Sequence, residues 1–230
     1  MKNISRLLGA MLGLLCVLPA LTFAGPASFT SDDFNAYVLN RALWTWYNPV
    51  GFGSIAMVGV NSGSASANIN LEAGVAHDIW TDGYNGARIL QACTDTSWTA
   101  EVSFLSQVRS SNGTTFDEQG IVVEQDPTHV IRFDFVTRTT DSMAITAHVF
   151  NGGFSSPTQE IFKNVGTYAN QPTFMRVTRG GSHWTVSYST DGSNWTVAGT
   201  FTQAFNITKI GPWVGNAGSS PRQWTSMIDY

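Results

Sequence analysis

Cysteine is nearly absent from this chain of 230 residues, which holds two, Cys16 and Cys93. Cys16 sits in an apolar N-terminal run behind Leu15, where a lipid-modified cysteine would follow a small residue, so no lipid anchor is expected. If that run is removed, Cys93 stands alone. No intramolecular disulfide can then form, and the core must hold the fold unaided, as it can in a chain of this size. The four histidines are scattered, and no Cys cluster or His-x-x-x-His pair supplies a zinc-ligand set. Charge is scarce as well: charged residues make up 12% of the chain. Dispersed basic residues outnumbered by acidic ones argue against a nucleic-acid or anionic-membrane partner and for a neutral ligand. Two further features are missing, an amphipathic helical stretch of useful length and an internal repeat. Their absence disfavours helical bundles, parallel α/β layers and propellers.

The one long apolar run lies at the N-terminus. Lys2 and Arg6 precede Leu7 to Leu21, which is broken by Pro19, and Thr22-Phe23-Ala24 follow before Gly25. This reads as a signal peptide over residues 1–24, with Ala24 the last residue removed. A transmembrane anchor needs about 20 apolar residues, more than this interrupted run provides. The expected product, residues 25–230, is secreted and extracellular, or periplasmic in a Gram-negative host, with no membrane anchor. It keeps about 206 residues, enough for one large all-β domain, and its charge becomes more negative as Lys2 and Arg6 leave.

Gly, Ser, Thr and Asn are abundant, and there are eight tryptophans. Short runs rich in β-branched and aromatic residues recur between Gly, Asn, Asp and Ser turns. Strands are expected near 44–47, 55–60, 67–71, 88–92, 98–104, 120–125, 130–136, 143–150, 173–179, 183–189, 195–201 and 209–216. That pattern predicts an all-β fold, a two-sheet antiparallel β-sandwich. The mixture also suits sugar recognition, because indole faces stack on pyranose C–H groups while amides and carboxylates bond hydroxyls. Sequons occur at Asn112, Asn194 and Asn206.

The most informative stretch runs from Glu118 to Phe135. Two apolar runs meet at the turn signal Asp126-Pro127-Thr128, and in the second Ile131, Phe133 and Phe135 alternate with Arg132 and Asp134. One side is expected to enter the core and the other to show a cation and a carboxylate to solvent. Glu124 is expected nearby. A five-residue loop sets it opposite Arg132, whereas a four-residue loop sets Val123 there and turns Glu124 away. A second candidate stretch, His77 to Gln91, gathers His77, Asp78, Trp80, Tyr84 and Arg88 around glycines. Trp80 and Tyr84 would be stacking platforms and Arg88 a forked donor, while His77 and Asp78 either join them or tie the loop down. Trp213 and Asn216 complete the proposed ligand-binding set, with Trp213 expected to lie half in the core. Arg132→Ala and Trp80→Ala are each expected to weaken glycan binding and leave folding intact.

Asp191-Gly192, between Trp184-x-Val186-x-Tyr188 and Trp195, reads as a tight hairpin turn and not as a catalytic box. Ser31-Asp-Asp-Phe34, the stretch His77 to Gln91, the Gln119 to Phe135 hairpin, and Arg176-Val-Thr-Arg179 with Trp184, Tyr188, Asp191-Gly192 and Trp195 follow one another along the chain. In that order they resemble the concanavalin A-like lectin/glucanase domain found at the C-terminus of some β-xylosidases and in a related family of uncharacterised function. The resemblance covers about Thr30 to Tyr230. It implies a jelly roll of two curved sheets with a concave face often used for glycan contact. The chain stops at Met227-Ile-Asp-Tyr230, where such a domain closes with a last strand, so the domain is expected to act alone or as a piece of something longer.

The leading expectation is a carbohydrate-binding, lectin-like module that recognises a glycan or polysaccharide. One alternative is a polysaccharide-degrading enzyme, a glycoside hydrolase or a lyase. Retaining hydrolysis needs two carboxyl groups about 5 Å apart, and the Glu-x-Asp-x-x-Glu pattern of the glucanase branch is met only by Glu124-Gln-Asp126, without its second Glu. A lyase would draw on His77, Arg88, Arg132 and Tyr188. The other alternative is a protein-contact or adhesion module, marked by a large exposed apolar patch. No metal site or cofactor is read from the chain; calcium alone stays open, because Asp32, Asp33 and Asp229 lie near termini that a sandwich brings together, though without EF-hand spacing.

Overall fold

The computed structural model describes residues 29–110, 114–137 and 142–230. The signal peptide expected over residues 1–24 and the sequon at Asn112 lie outside them. Seven strands form one antiparallel sheet in the order β1 (Thr45–Tyr47), β6 (Ala87–Ala92), β15 (Lys209–Gly218), β8 (Thr115–Asp126), β9 (His129–Thr137), β10 (Ser142–Asn151) and β11 (Thr158–Thr167). Across the core lie β14 (Thr196–Thr202), β13 (His183–Ser189), β12 (Phe174–Gly180) and β7 (Ser97–Ser103), in that order. A three-stranded sheet, β16 (Trp224–Ile228), β3 (Ser66–Leu71) and β2 (Gly53–Val58), extends this second layer through the bridge Phe104 to Ile228. The expected two-layer all-β sandwich is what forms. Among the described residues no helix is long and apolar enough to cross a membrane.

Period-two alternation explains why the layers meet. Ile131, Phe133 and Phe135 of β9 point into the core beside Ile121 and Val123 of β8 and Ile145 and Ala147 of β10, facing Met175, Val177, Trp184 and Val186 of the second layer. Asp191 closes the β13–β14 hairpin by accepting from the amides of Ser193 and Asn194, and Gly192 takes the positive φ of 72° there. Strand β11, an edge strand carrying Gln159, Glu160, Lys163 and Asn164, was not among the expected strands. Its pairing with β10 shifts register twice, which breaks the alternation a reader of the sequence looks for.

The turn at Pro127 follows neither expected register. Asp126 pairs with His129 across Pro127-Thr128, the ladder slips once at Gln125, and Val122 comes opposite Arg132 while Glu124 meets Val130. Glu124 therefore shares a face with Arg132, two pairs away along the hairpin. The turn is this short because the Asp126 carboxylate accepts from the amides of both Thr128 and His129, closing the chain on itself.

One short hairpin decides the character of the large sheet's outer face. Residues β4 (Ile79–Trp80) and β5 (Gly83–Tyr84) pair with each other and lie against it. Ile79 is packed with Leu90, Val122, Val130, Phe150 and Trp213 in a second apolar cluster, separate from the main core. The face expected to be wet is covered there by the chain itself.

Candidate functional site

Arg132 and Asp134 project onto this outer face, as their period-two spacing predicts, yet they are 4% and 0% exposed. The correction has a plain cause, the hairpin above them. Arg132 Nη1 donates to Asp78 Oδ1 at 2.8 Å and to the Ile79 carbonyl at 2.9 Å, and its two nitrogens reach Glu118 at 3.3 and 3.4 Å. Its Nε lies 3.3 Å from Asp134 Oδ1, and the rings of Trp80 and Trp213 flank the guanidinium at 5.1 and 5.2 Å. Burial works against the charge of Arg132, but Asp134, Glu118 and Asp78 outweigh it and hold the guanidinium above its usual range. Glu118 moves the other way from an ordinary ion-paired carboxylate: burial pushes it well above the usual range, Arg132 opposes this, and Asp78 and Asp134 add to it.

His77 and Asn216 form a second buried tie. His77 is bridged to Asn216 as a strand partner, its Nδ1 lies 2.9 Å from Asn216 Oδ1, and its Nε2 lies 2.7 Å from the Gly51 carbonyl. Asn216 Nδ2 donates onward to the carbonyls of Glu72 and Arg222. Both residues are fully buried, and together they fix where the hairpin leaves the sheet edge. Trp213, expected to be half in the core, is wholly buried; its indole Nε1 donates to the Phe133 carbonyl. Gly120, its pair across β8, leaves the space, since a Cβ there would lie 1.9 Å from the same carbonyl oxygen.

The remaining members of the set lie at a margin of the same face where the rings of Trp80 and Tyr84 are half-buried while Arg88 and Glu124 are buried. Arg88, rooted in β6, is sandwiched between two rings, 3.4 Å from the Tyr84 centroid and 5.0 Å from that of Tyr47. Its Nη1 donates to the carbonyls of Gly86 and Tyr84, which curls the hairpin end back over the guanidinium. Tyr84 stacks on Phe154 at 5.8 Å, Phe154 contacts Phe150 at 4.9 Å, and Phe150 meets Trp80 edge-on at 6.2 Å. Tyr47, Trp80, Tyr84 and Phe154 are each half-buried, so one side of this aromatic belt faces solvent. Lys209 Nζ, 5.7 Å from the Tyr47 ring, bonds Glu124 Oε1 at 2.5 Å.

The electrostatics of that margin follow from the burial of its polar groups. Tyr84 is pushed far above the usual phenol range, first by burial and then by Glu124, with Arg88 opposing, so it stays a neutral hydroxyl. Burial works against Lys209, but the hydrogen bond and charge of Glu124 outweigh it and raise the ammonium above its ordinary value. Glu124 is thereby engaged by a cation, as Glu118 is by Arg132, and the two carboxyls are on separate ion pairs.

The ten residues singled out from the sequence thus divide into three groups. Arg132 and Asp134, buried, form a clamp with the half-buried Asp78, His77 and Asn216 form a buried tie with Trp213 packed beside the clamp, and Trp80, Tyr84, Arg88 and Glu124 form a margin of half-buried rings over buried charges. Tyr47, Phe154, Lys209 and Glu118 were missed. Tyr47 follows the Trp44 and Trp46 alternation, and Phe154 follows Gly152-Gly153 in a loop; both are signals a reader of the sequence can use, while the roles of Lys209 and Glu118 depend on strand order alone. Among the described residues no group of three His, Cys, Asp or Glu side chains gathers to hold a metal ion.

Solved structures share this architecture. A mutant of the GH43 protein BlXynB from Bacillus licheniformis superposes with a TM-score of 0.63 at 17% identity, over 86% of this chain and 37% of that one. A xylan beta-1,4-xylosidase from Bacillus halodurans matches at 0.58 and 12% identity, over 93% of this chain and 40% of the other. A family 16 glycoside hydrolase endo-glucanase from Bacteroides ovatus matches at 0.54 and 11% identity, over 86% of this chain and 96% of the other. The fold is a concanavalin A-like sandwich. The chain spans little more than a third of the length of the first two of these proteins. No family model matches the chain, and no curated protein matches it. This sandwich hosts many activities, so the fold leaves the activity open.

Proposed function

We propose that this protein is an exported carbohydrate-binding module that takes a glycan along the open margin of the large sheet's outer face. The observation that carries the reading is the half-buried aromatic belt of Tyr47, Tyr84, Phe154 and Trp80, with Arg88 held between two of its rings. Ring faces contribute C–H stacking to a pyranose, and the half-buried Lys209 ammonium, held by the buried Glu124, offers a donor for hydroxyls, while the buried Arg88 guanidinium holds the Tyr47 and Tyr84 rings in place. Charged groups anchored by neighbours keep their positions without a ligand, which lowers the entropic cost of binding. Retaining hydrolysis by Glu118 and Glu124 finds no support in the same geometry, since the two carboxyls are engaged by different cations, Arg132 and Lys209. Export rests on the N-terminal leader read over residues 1–24, and the mass of the protein recovered outside the cytoplasm, beginning at Gly25, checks it.

The test is a glycan-array and polysaccharide pull-down screen on residues 25–230, with reducing-end and unsaturated-product assays on each hit. Retention without product, weakened at least tenfold by Tyr47→Ala and by Trp80→Ala in chains that keep their thermal transition, supports the reading. Product release would replace it with catalysis, and affinity unchanged in both variants would remove the site.

A further inference from the structure

We propose that the free edge of β7 accepts an extended peptide carrying a basic side chain, paired main chain to main chain as an added strand. Strand β7 ends its four-stranded sheet. The Phe104 amide donates to Thr173 and the Thr96 carbonyl accepts from Gly181, so the even-numbered residues turn their main-chain groups toward β12. By the alternation of an antiparallel ladder, Thr99, Glu101 and Ser103 turn theirs the other way. At Ser103 that edge is taken, its amide donating to the Tyr230 carbonyl and its carbonyl accepting from Asp229. At Glu101 and Thr99 no strand follows, and among the described residues no backbone group bonds them from that side.

A cleft of about 330 Å³ opens along this edge, with residues 99–102 as one wall and residues 29–32 as the other. Its apolar lining includes Phe34, Trp44 and Ile210. Two carboxylates line it, Asp32 and Glu101. Arg176 is paired with Glu101 at 2.8 Å, whereas Asp32 accepts only from the Phe34 amide and the Trp44 indole, with no cation beside it among the described residues. An apolar slot with an uncompensated carboxylate suits the methylene stem and cationic head of Lys or Arg. Exposed strand edges are commonly blunted by charged side chains, lysine above all, by proline or by a bulge. Strand β7 reads Ser-Trp-Thr-Ala-Glu-Val-Ser and pairs with β12 without a register shift, so it has no lysine, proline or bulge, and its one charge, Glu101, is neutralised by Arg176 of β12. Main-chain pairing would supply affinity and the slot its selectivity, as in other strand additions. The edge belongs to the second layer and the slot opens between the layers, none of its lining being shared with the aromatic belt, so the site stands or falls independently of glycan binding.

Amide resonances of isotopically labelled protein, followed during titration with the acetylated and amidated peptide Thr-Val-Lys-Val-Thr, test this directly. Saturable shifts and slowed hydrogen exchange at Thr99 and Glu101 are expected, with binding at least tenfold weaker when the central residue is Glu. Asp32→Asn should erase most of that preference. Thr99→Pro should abolish pairing while leaving the remaining spectrum folded, because the N–H it removes is one the sheet does not use. Should that variant not fold, two peptides N-methylated at alternate residues replace it, and one of them must lose binding. Equal affinity for both central residues, no binding, or Thr99 and Glu101 amides already protected in the peptide-free protein would overturn the proposal. The last outcome would mean that residues 25–28 or a second copy of the chain already cover the edge.

Discussion

Arg132 is the residue whose role changes most between sequence and structure. A cation alternating with core residues on a strand reads as a solvent-facing group, and its removal was expected to spare folding. In the structure it pairs with Asp78, Glu118 and Asp134 at once. Arg132→Ala should therefore cost about 3–5 kcal/mol, because buried carboxylates lose their counter-charge, and a fall in the urea midpoint checks it. Glu118 carries the complementary prediction. Its folded pKa lies above the unfolded value of about 4.3, so its protonation favours the fold fully below that pH and the contribution is lost as pH rises through the folded value. Glu118→Gln keeps the neutral form at every pH. The difference in thermal midpoint, variant minus parent, should grow in the variant's favour from pH 4 toward neutral and beyond; a flat difference would show that Glu118 does not titrate with folding.

At the scale of elements, the β8–β9 hairpin shows how a turn overrides strand pattern. The Asp126 carboxylate lies below its usual range, first through the His129 side chain and then through the hydroxyl and amide of Thr128. A lowered carboxylate gives stability that is present above the unfolded value of about 3.9 and lost as pH falls through the folded one. Asp126→Asn should lower the thermal midpoint at neutral pH, and the two curves should converge in acid below about pH 4; a constant gap across that range would mean that the turn does not depend on the charge. Strand positions and the Asp191-Gly192 turn were legible because period two and turn chemistry are local. Register at Pro127 was not, because the length of the turn depends on one carboxylate reaching two amides. Strand β11 was hidden for a related reason: its register shifts erase the alternation, and it lies at the end of its sheet.

For the molecule as a whole, the core between the layers is where the fold is held. Trp184 is wholly buried there, stacked on Phe201 at 6.0 Å and in contact with Trp98 and Phe133, while its indole nitrogen donates to the Gln203 carbonyl. Trp184→Ala should cost about 3–5 kcal/mol in chemical denaturation; a loss below 1 kcal/mol would show that the layers repack around it. Alternation and turn residues act between near neighbours, so the amino-acid pattern alone specifies the class of fold, antiparallel sheets with an apolar interior. It also specifies which residue types crowd the two candidate stretches. That the hairpin of β4 and β5 lies on the large sheet, turning an expected open face into a charged clamp with an aromatic margin, is settled by long-range packing. That choice depends on Ile79 finding Val122, Val130 and Trp213 and on Asp78 finding Arg132, contacts made across 43 to 134 residues of chain that no local pattern encodes.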